Sequence, residues 1–156
     1  MKQSVMYVYF IHANPFERVG QGEVLSPDKQ FRLRNLIKAI SARISNEEVR
    51  IKLITIDSKE ARSVCGSLSK AFKIDPQYIN GDTSLSVLTK AIDEDCTIVI
   101  FVDPRKESIQ KLSGHVCNQF GIPPYPNFMS QSFPDGSMLE VNITGGRVNV
   151  LTGKSS

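Results

Sequence analysis

The apolar positions of this chain fall into two patterns, continuous runs and helix-spaced repeats. Residues 5–11 and 97–102 are nearly unbroken apolar, β-branched and aromatic runs, a pattern typical of central strands covered on both faces. Residues 49–56 alternate apolar and polar side chains and predict another strand. Residues 138–143 and 147–151 predict a β-hairpin, because the two glycines between them can adopt positive φ.

Helical spacing predicts four helices, each with a plausible capping residue at its start. The expected starts are Ser26, with Pro27 in the first helical position, then Ser58, Asp82-Thr83 and Asp103. The first helix should run to about Arg43. The residues expected on the buried faces are Leu33, Leu36, Ile37, Ile40 and Ile44, then Ala61, Val64, Cys65, Leu68 and Phe72, then Leu85, Leu88, Ala91 and Ile92, and finally Ile109, Leu112, Val116 and Phe120.

The order of these elements predicts an α/β fold. Alternating strands and helices indicate a three-layer α/β/α arrangement with a mostly parallel sheet, followed by the C-terminal hairpin. Residues 12–25 and 121–133 are expected to be loops, the second of them rich in proline. At 156 residues the chain fits one domain over residues 1–152, with residues 153–156 as a loose tail.

Composition narrows the classes of function. The net charge is +3, with acidic and basic residues interleaved, so we expect neither a nucleic-acid partner nor a membrane partner. No apolar run reaches the length of a membrane span or resembles a signal peptide, which favours a cytoplasmic protein. Cys65, Cys96 and Cys117 lack any CxxC spacing and are expected to be structural thiols. We therefore expect no metal and no cofactor.

The strongest candidate for chemistry is His12, which closes the first apolar run. Ligand sites in open α/β sheets lie beyond the carboxyl ends of the strands. His12 is therefore either a nucleophile or phosphate ligand, or a relic that is hydrogen-bonded at a strand end. Asp103, at the next strand end, is interpreted as a helix cap rather than a base or metal ligand. Four arginines could supply positive charge near His12, namely Arg18, Arg32, Arg34 and Arg62.

Four segments and the hairpin carry a resemblance to a known family. They are Tyr9-Phe10-Ile11-His12-Ala13, then residues 24–29, 56–62 and 98–104. In this order and spacing the chain is similar to the histidine phosphatase superfamily, the phosphoglycerate-mutase-like proteins, and above all to their short phosphohistidine phosphatase branch. The resemblance implies phosphoryl transfer through a phosphohistidine. In the family, two arginines bind the phosphoryl oxygens, a second histidine completes the pocket, and an acidic residue often donates the proton.

Of the four family positions, this sequence keeps only the nucleophile, His12. Ile11 stands where the family has its first arginine, and Glu60 stands where it has the second. The second histidine corresponds to Val102 or Asp103. The proline two positions after Val102 favours Val102 as the counterpart of the histidine, and Asp103 remains the alternative.

The missing residues predict weak catalysis. Isoleucine cannot replace a bidentate arginine, and a carboxylate at Glu60 would repel a phosphate dianion. We therefore expect a non-catalytic or weakly active homologue that binds phosphate or a small anion, or serves a regulatory role. The alternative is a phosphohistidine or phosphomonoester phosphatase that uses His12 with relocated cations such as Arg18 or Arg62. A third hypothesis is a subunit that binds a protein partner through the proline-rich loop or a sheet edge.

Overall fold

A computed structural model of the chain describes residues 7–43, 50–93, 98–124 and 136–153, with only the backbone at positions 17, 18 and 93. Within these residues, the main feature is a six-stranded sheet. Its strands are β1 (Tyr7–His12), β4 (Ile51–Ile56), β5 (Pro76–Ile79), β6 (Ile98–Asp103), β7 (Met138–Asn142) and β8 (Arg147–Leu151), while β2 (Phe16–Val19) and β3 (Gly22–Leu25) form a separate small sheet. The strand order is β5-β4-β6-β1-β7-β8. The first four of these strands run parallel, and β7 and β8 join antiparallel at one side.

In the part of the chain that the structure describes, four α-helices cover the two faces of the sheet: α1 (Pro27–Ala42), α2 (Lys59–Phe72), α3 (Ser84–Asp93) and α4 (Lys106–Gln119). Side chains of β1 point alternately to the two faces. Tyr9 and Ile11 join the core beneath α1 and α2. Val8 and Phe10 join the core beneath α3 and α4. The predicted three-layer α/β fold with a mostly parallel sheet and a C-terminal hairpin is therefore confirmed.

Two of the predicted helix caps are present. The Ser26 hydroxyl accepts from the Lys29 amide at 3.2 Å, and the Ser58 hydroxyl accepts from the Ala61 amide at 3.0 Å. A 3-10 turn over Gly81–Thr83 precedes α3, so the third helix starts slightly later than expected.

The cap predicted at Asp103 is wrong. Asp103 is the last residue of β6, and α4 begins three positions later at Lys106. The Asp103 carboxylate accepts from the Arg105 amide at 2.8 Å, before the first helical residue. Arg105 takes the flanking position without a side-chain capping bond. The carboxylate therefore stabilises the turn between β6 and α4 and does not cap the helix.

Residues 12–25, expected to be a loop, contain a second, two-stranded sheet. Strands β2 (Phe16–Val19) and β3 (Gly22–Leu25) pair antiparallel. Gly20 in the turn has φ +63, a conformation that glycine adopts without strain. All four residues of β3 are exposed. The short strand β5 was also missed, because it begins with proline, which suits its position at the sheet edge.

A buried carboxylate lies beside the middle of β1. Glu140 of β7 is 1% exposed and accepts from the Tyr9 hydroxyl at 2.8 Å. Two nitrogens of Arg43 and the Asn149 amide also donate to it, each at 3.3 Å. Burial, and then the bond to Glu140, raise the pKa of Tyr9. This network ties the end of α1 to the sheet.

The predictions on the cysteines, the proline-rich loop and the C-terminal tail can be compared with the structure only in part. Cys65 and Cys117 are buried and free, whereas Cys96 and most of the proline-rich loop lie outside the described residues. The Gly153 carbonyl accepts from the Asn35 amide at 2.8 Å, and residues 154–156 are outside the description. None of the described helices is long and apolar enough to cross a membrane.

Candidate functional site

His12 lies at the carboxyl end of β1, in register with Asp103 of β6. It is 6% exposed, and its backbone amide donates to the Ser137 carbonyl at 3.0 Å. Its Nε2 lies 3.1 Å from the Pro104 carbonyl oxygen, and the Gly136 amide donates to its Nδ1 at 3.3 Å. Two main-chain groups from different segments therefore hold the imidazole ring.

These two contacts assign the tautomer of His12. A carbonyl can only accept a hydrogen bond and a backbone amide can only donate one. A neutral ring that satisfies both has its proton on Nε2 and its lone pair on Nδ1. Both nitrogens are then engaged with the main chain.

A cleft of about 600 Å³ opens beside the ring. It is lined by His12 and by four charged residues, Glu60, Arg105, Lys106 and Glu107. Glu60 lies in the first turn of α2, and Lys106 and Glu107 begin α4. Helix N-termini attract anions, so the two helices and two cations favour an anion while the two carboxylates oppose it.

Arg105 is held by Asp103 at the edge of this cleft. Its Nε and Nη2 lie 3.3 and 3.4 Å from the two oxygens of the Asp103 carboxylate, which is fully buried. The carboxylate fixes the guanidinium and offsets part of its charge. Asp103 therefore serves as a positioning group for Arg105.

A second, small cavity of about 20 Å³ lies against His12 and Ile11 on the side of α1. It has room for about one water molecule. Lys29 and Arg32 line it, with the Lys29 ammonium donating to the Phe16 carbonyl at 2.8 Å. Arg32 Nη2 pairs with Asp28 at 2.8 Å, whereas its buried Nε has no partner among the described residues. Arg32, one of the predicted cations, thus lines the same cavity as His12.

The structure also places the residues that stand where the family has its two arginines and its second histidine. Ile11 and Val102 are neighbours in register on β1 and β6, and both are buried in the core beneath α1 and α2. Asp103 binds Arg105, and Glu60 lines the larger cleft. The side chains at Ile11 and Val102 bring no charge or hydrogen-bonding group to His12.

Of the two cations predicted as phosphate ligands, Arg62 is not brought to the clefts beside His12. The Arg62 guanidinium donates to Asp57 at 2.7 Å and lies 4.9 Å from the Tyr78 ring centre. It lines neither cleft, and the Asp57 carboxylate raises its pKa. Arg18 lies on β2 opposite Glu23, and its side chain is outside the description. Phosphate binding by these two residues stays a prediction.

Sequence reasoning missed Arg105 and Lys106. The available signal was their position directly after the third predicted strand, on the sheet edge that also carries His12. Among the described residues, no group of three or more His, Cys, Asp or Glu side chains could hold a metal ion.

Solved structures with the same architecture are available for comparison. A protein histidine phosphatase SixA complexed with tungstate superposes with a TM-score of 0.63 at 9% identity, covering 95% of this chain and 97% of that one. A protein assigned as the phosphohistidine phosphatase SixA of Agrobacterium tumefaciens gives 0.60 at 16%, covering 94% and 97%. The chain has the histidine phosphatase fold. A phosphoglycerate mutase from Plasmodium falciparum has the same fold, with a TM-score of 0.51 at 14% identity over 95% of this chain and 89% of that one.

The resemblance inferred from the sequence is confirmed at the level of the histidine phosphatase fold. The likeness extends over nearly the whole of each SixA chain. Neither a protein-family model nor a curated protein matches the sequence. At these low identities the similarity shows a shared fold but not a shared function, which depends on the residues of the site.

Proposed function

We propose that this protein is a histidine-phosphatase-fold protein that binds phosphate at the end of β1 without turning over phosphate esters efficiently. Its role would be binding or regulation. The observation that carries the proposal is the hydrogen bonding of both His12 ring nitrogens to main-chain groups, at Pro104 and Gly136. A histidine nucleophile needs a nitrogen lone pair directed at phosphorus. Here one nitrogen carries the proton and the other accepts a backbone hydrogen bond.

The surroundings of His12 support weak catalysis. Charge on a transferring phosphoryl group needs preorganised cationic donors. Buried Ile11 and Val102 supply none, and Glu60 adds negative charge to the cleft. Each missing donor commonly costs a factor of about 10²–10³ in rate. Together with the engaged ring, these losses argue for a site that binds rather than reacts.

Phosphate binding is supported by the cleft itself. Arg105 and Lys106 line it, and the first turns of α2 and α4 face it. The similar SixA structure was solved with tungstate, an oxyanion. We therefore assign the larger cleft, with Arg105 and Lys106 as ligands, to an inorganic or organic phosphate group.

Titration with inorganic phosphate, followed by amide NMR shifts, tests the binding proposal. We expect shifts at residues 12–14, 60 and 105–107. Glu60→Gln should tighten binding roughly threefold and Lys106→Gln should weaken it roughly threefold, because single partly exposed charges contribute about this much. Lys70→Gln, an exposed lysine in the last turn of α2, serves as the matched control. Equal affinities in all four proteins would contradict the assignment of the cleft.

Turnover is tested separately with an aryl phosphate and a phosphohistidine peptide. We expect the same negligible rate from the parent protein and from His12→Ala. Activity that disappears in His12→Ala would overturn the proposed lack of efficient turnover. It would leave the phosphate titration unaffected as a test of binding.

The alternative, a phosphatase with relocated cations, is favoured by one observation. Arg32 has a buried Nε without a partner among the described residues, and it lines the small cavity beside His12 and Ile11. Arg32 reaches this cavity from α1, whereas the family resemblance implies an arginine on β1, at position 11. On this alternative, Arg32→Gln would abolish turnover while Arg34→Gln, on the same helix but outside the cavity, would not.

A further inference from the structure

A separate cleft of about 450 Å³ lies between the start of α3 and the first turns of α4. Its lining residues on the α3 side include Gly81, Asp82 and Ser84. On the α4 side they include Arg105, Ser108 and Lys111. Neither the family resemblance nor the proposed function uses Ser84, Ser108 or Lys111.

Ser84 is the feature of this cleft that points to a ligand. It is the first residue of the ten-residue helix α3 and is only 4% exposed. Its buried Oγ has no hydrogen-bond partner among the described residues. A buried hydroxyl without a partner is costly, and native structures satisfy most such groups. A ligand oxygen in the cleft would accept the missing hydrogen bond.

The charges around Ser84 favour an anionic ligand. The N-terminus of α3 favours negative charge, and Arg105 and Lys111 add two cations from α4. Asp82 is the opposing carboxylate in the lining, and Asp103 offsets part of the Arg105 charge. The Arg105 guanidinium packs against Gly81, where a Cβ would lie only 3.0 Å from its Nη2.

We infer that this cleft is a second oxyanion site, which takes the phosphate group of a small molecule through Ser84, Arg105 and Lys111. Its volume is within the range of small-molecule sites. A hydroxyl, a guanidinium, an ammonium and a helix N-terminus together form a donor set suited to phosphate. Arg105 lines both this cleft and the cleft at His12. The inference does not require any activity of His12.

Inorganic phosphate is the probe, added at constant ionic strength while amide NMR shifts are recorded. We expect shifts at residues 81–85 and 108–111. Ser84→Ala should weaken binding at these residues roughly fivefold, the effect of one lost hydrogen bond. Lys111→Gln should weaken it roughly threefold, the effect of one exposed charge. Lys90→Gln, an exposed lysine on α3 outside the cleft, should leave this affinity unchanged.

Thermal unfolding without phosphate separates a ligand role of Ser84 from a structural one. Because its hydroxyl has no partner, Ser84→Ala should have a Tm equal to or above that of the parent. A lower Tm with unchanged phosphate affinity would mean that the hydroxyl serves the fold, and would overturn the inference. Shifts confined to residues 12–14, 60 and 105–107 would also overturn it, while supporting the proposed function at His12. No phosphate-dependent shift anywhere would contradict both proposals.

Discussion

Two main-chain groups decide which nitrogen of His12 carries the proton. The N–H of Gly136 faces Nδ1, and the carbonyl of Pro104 faces Nε2. Gly136 has φ +78, a conformation in which any larger residue would be strained. The glycine therefore lets the chain place its amide against the ring. This contact turns a residue of reactive type into one engaged by the main chain.

The predicted tautomer can be observed directly. In a protein labelled with ¹⁵N at histidine, long-range ¹H–¹⁵N spectra at neutral pH should show His12 with a protonated Nε2 and an unprotonated Nδ1. The sequence has two histidines, and His115 is exposed on α4, so a His115→Gln variant assigns the signals. A His12 ring with its proton on Nδ1 would contradict the hydrogen-bond assignment and would free Nε2 for attack.

The site could be predicted from sequence only in part, for a reason visible at individual residues. His12, Ile11 and Glu60 are found by order and spacing along the chain, since each follows a recognisable strand or helix start. Arg105 and Lys106 depend instead on how β6 and β1 pair, which brings their turn beside His12. Long-range pairing of this kind leaves little local sequence signal. Gly136 lies in a part of the chain for which no strand or helix was predicted, so its hydrogen bond to His12 had no local sequence signal.

Among the elements, those with a strong local pattern were predicted and those without one were missed. The strands β1 and β6 are continuous apolar runs, and α1 and α2 have serine caps. The missed strands β2, β3 and β5 have four residues each and lie outside the central part of the main sheet. Their pairing is set by neighbouring chain segments, and an exposed strand of this length has no distinct periodicity.

The serine cap of α2 is a prediction at the scale of one element. Ser58→Ala removes the acceptor for the Ala61 amide and should lower the free energy of unfolding by about 1 kcal/mol. Asn80→Ala is the matched control, because Asn80 precedes its 3-10 turn without a side-chain capping bond. Urea unfolding followed by circular dichroism measures both variants. An equal loss in the two would show that the serine hydroxyl is not the source of the effect.

At the scale of the whole molecule, two apolar layers lie between the sheet and its helices, one on each face. They keep water away from ionisable side chains as well as from apolar ones. Cys65 lies in the layer beneath α1 and α2, and Cys117 lies in the layer beneath α3 and α4. Burial raises the pKa of the Cys65 thiol from its ordinary 9.0 to about 11, with a smaller opposing effect of a hydrogen bond with Thr55. Burial also raises the pKa of Cys117. The fold therefore keeps these thiols protonated in alkaline solution.

This burial makes the folded protein sensitive to high pH. In the unfolded chain the Cys65 thiol ionises near its ordinary pKa, whereas in the folded protein it stays protonated up to about pH 11. The unfolded state then binds fewer protons, so stability is complete below pH 9.0 and falls as the pH rises towards 11. The difference corresponds to roughly 2–3 kcal/mol. Urea unfolding measured across this range should give a flatter curve for Cys65→Ala than for the parent. Cys117→Ala should flatten it less, and parallel curves for Cys65→Ala and the parent would show that the buried thiol does not control alkaline stability.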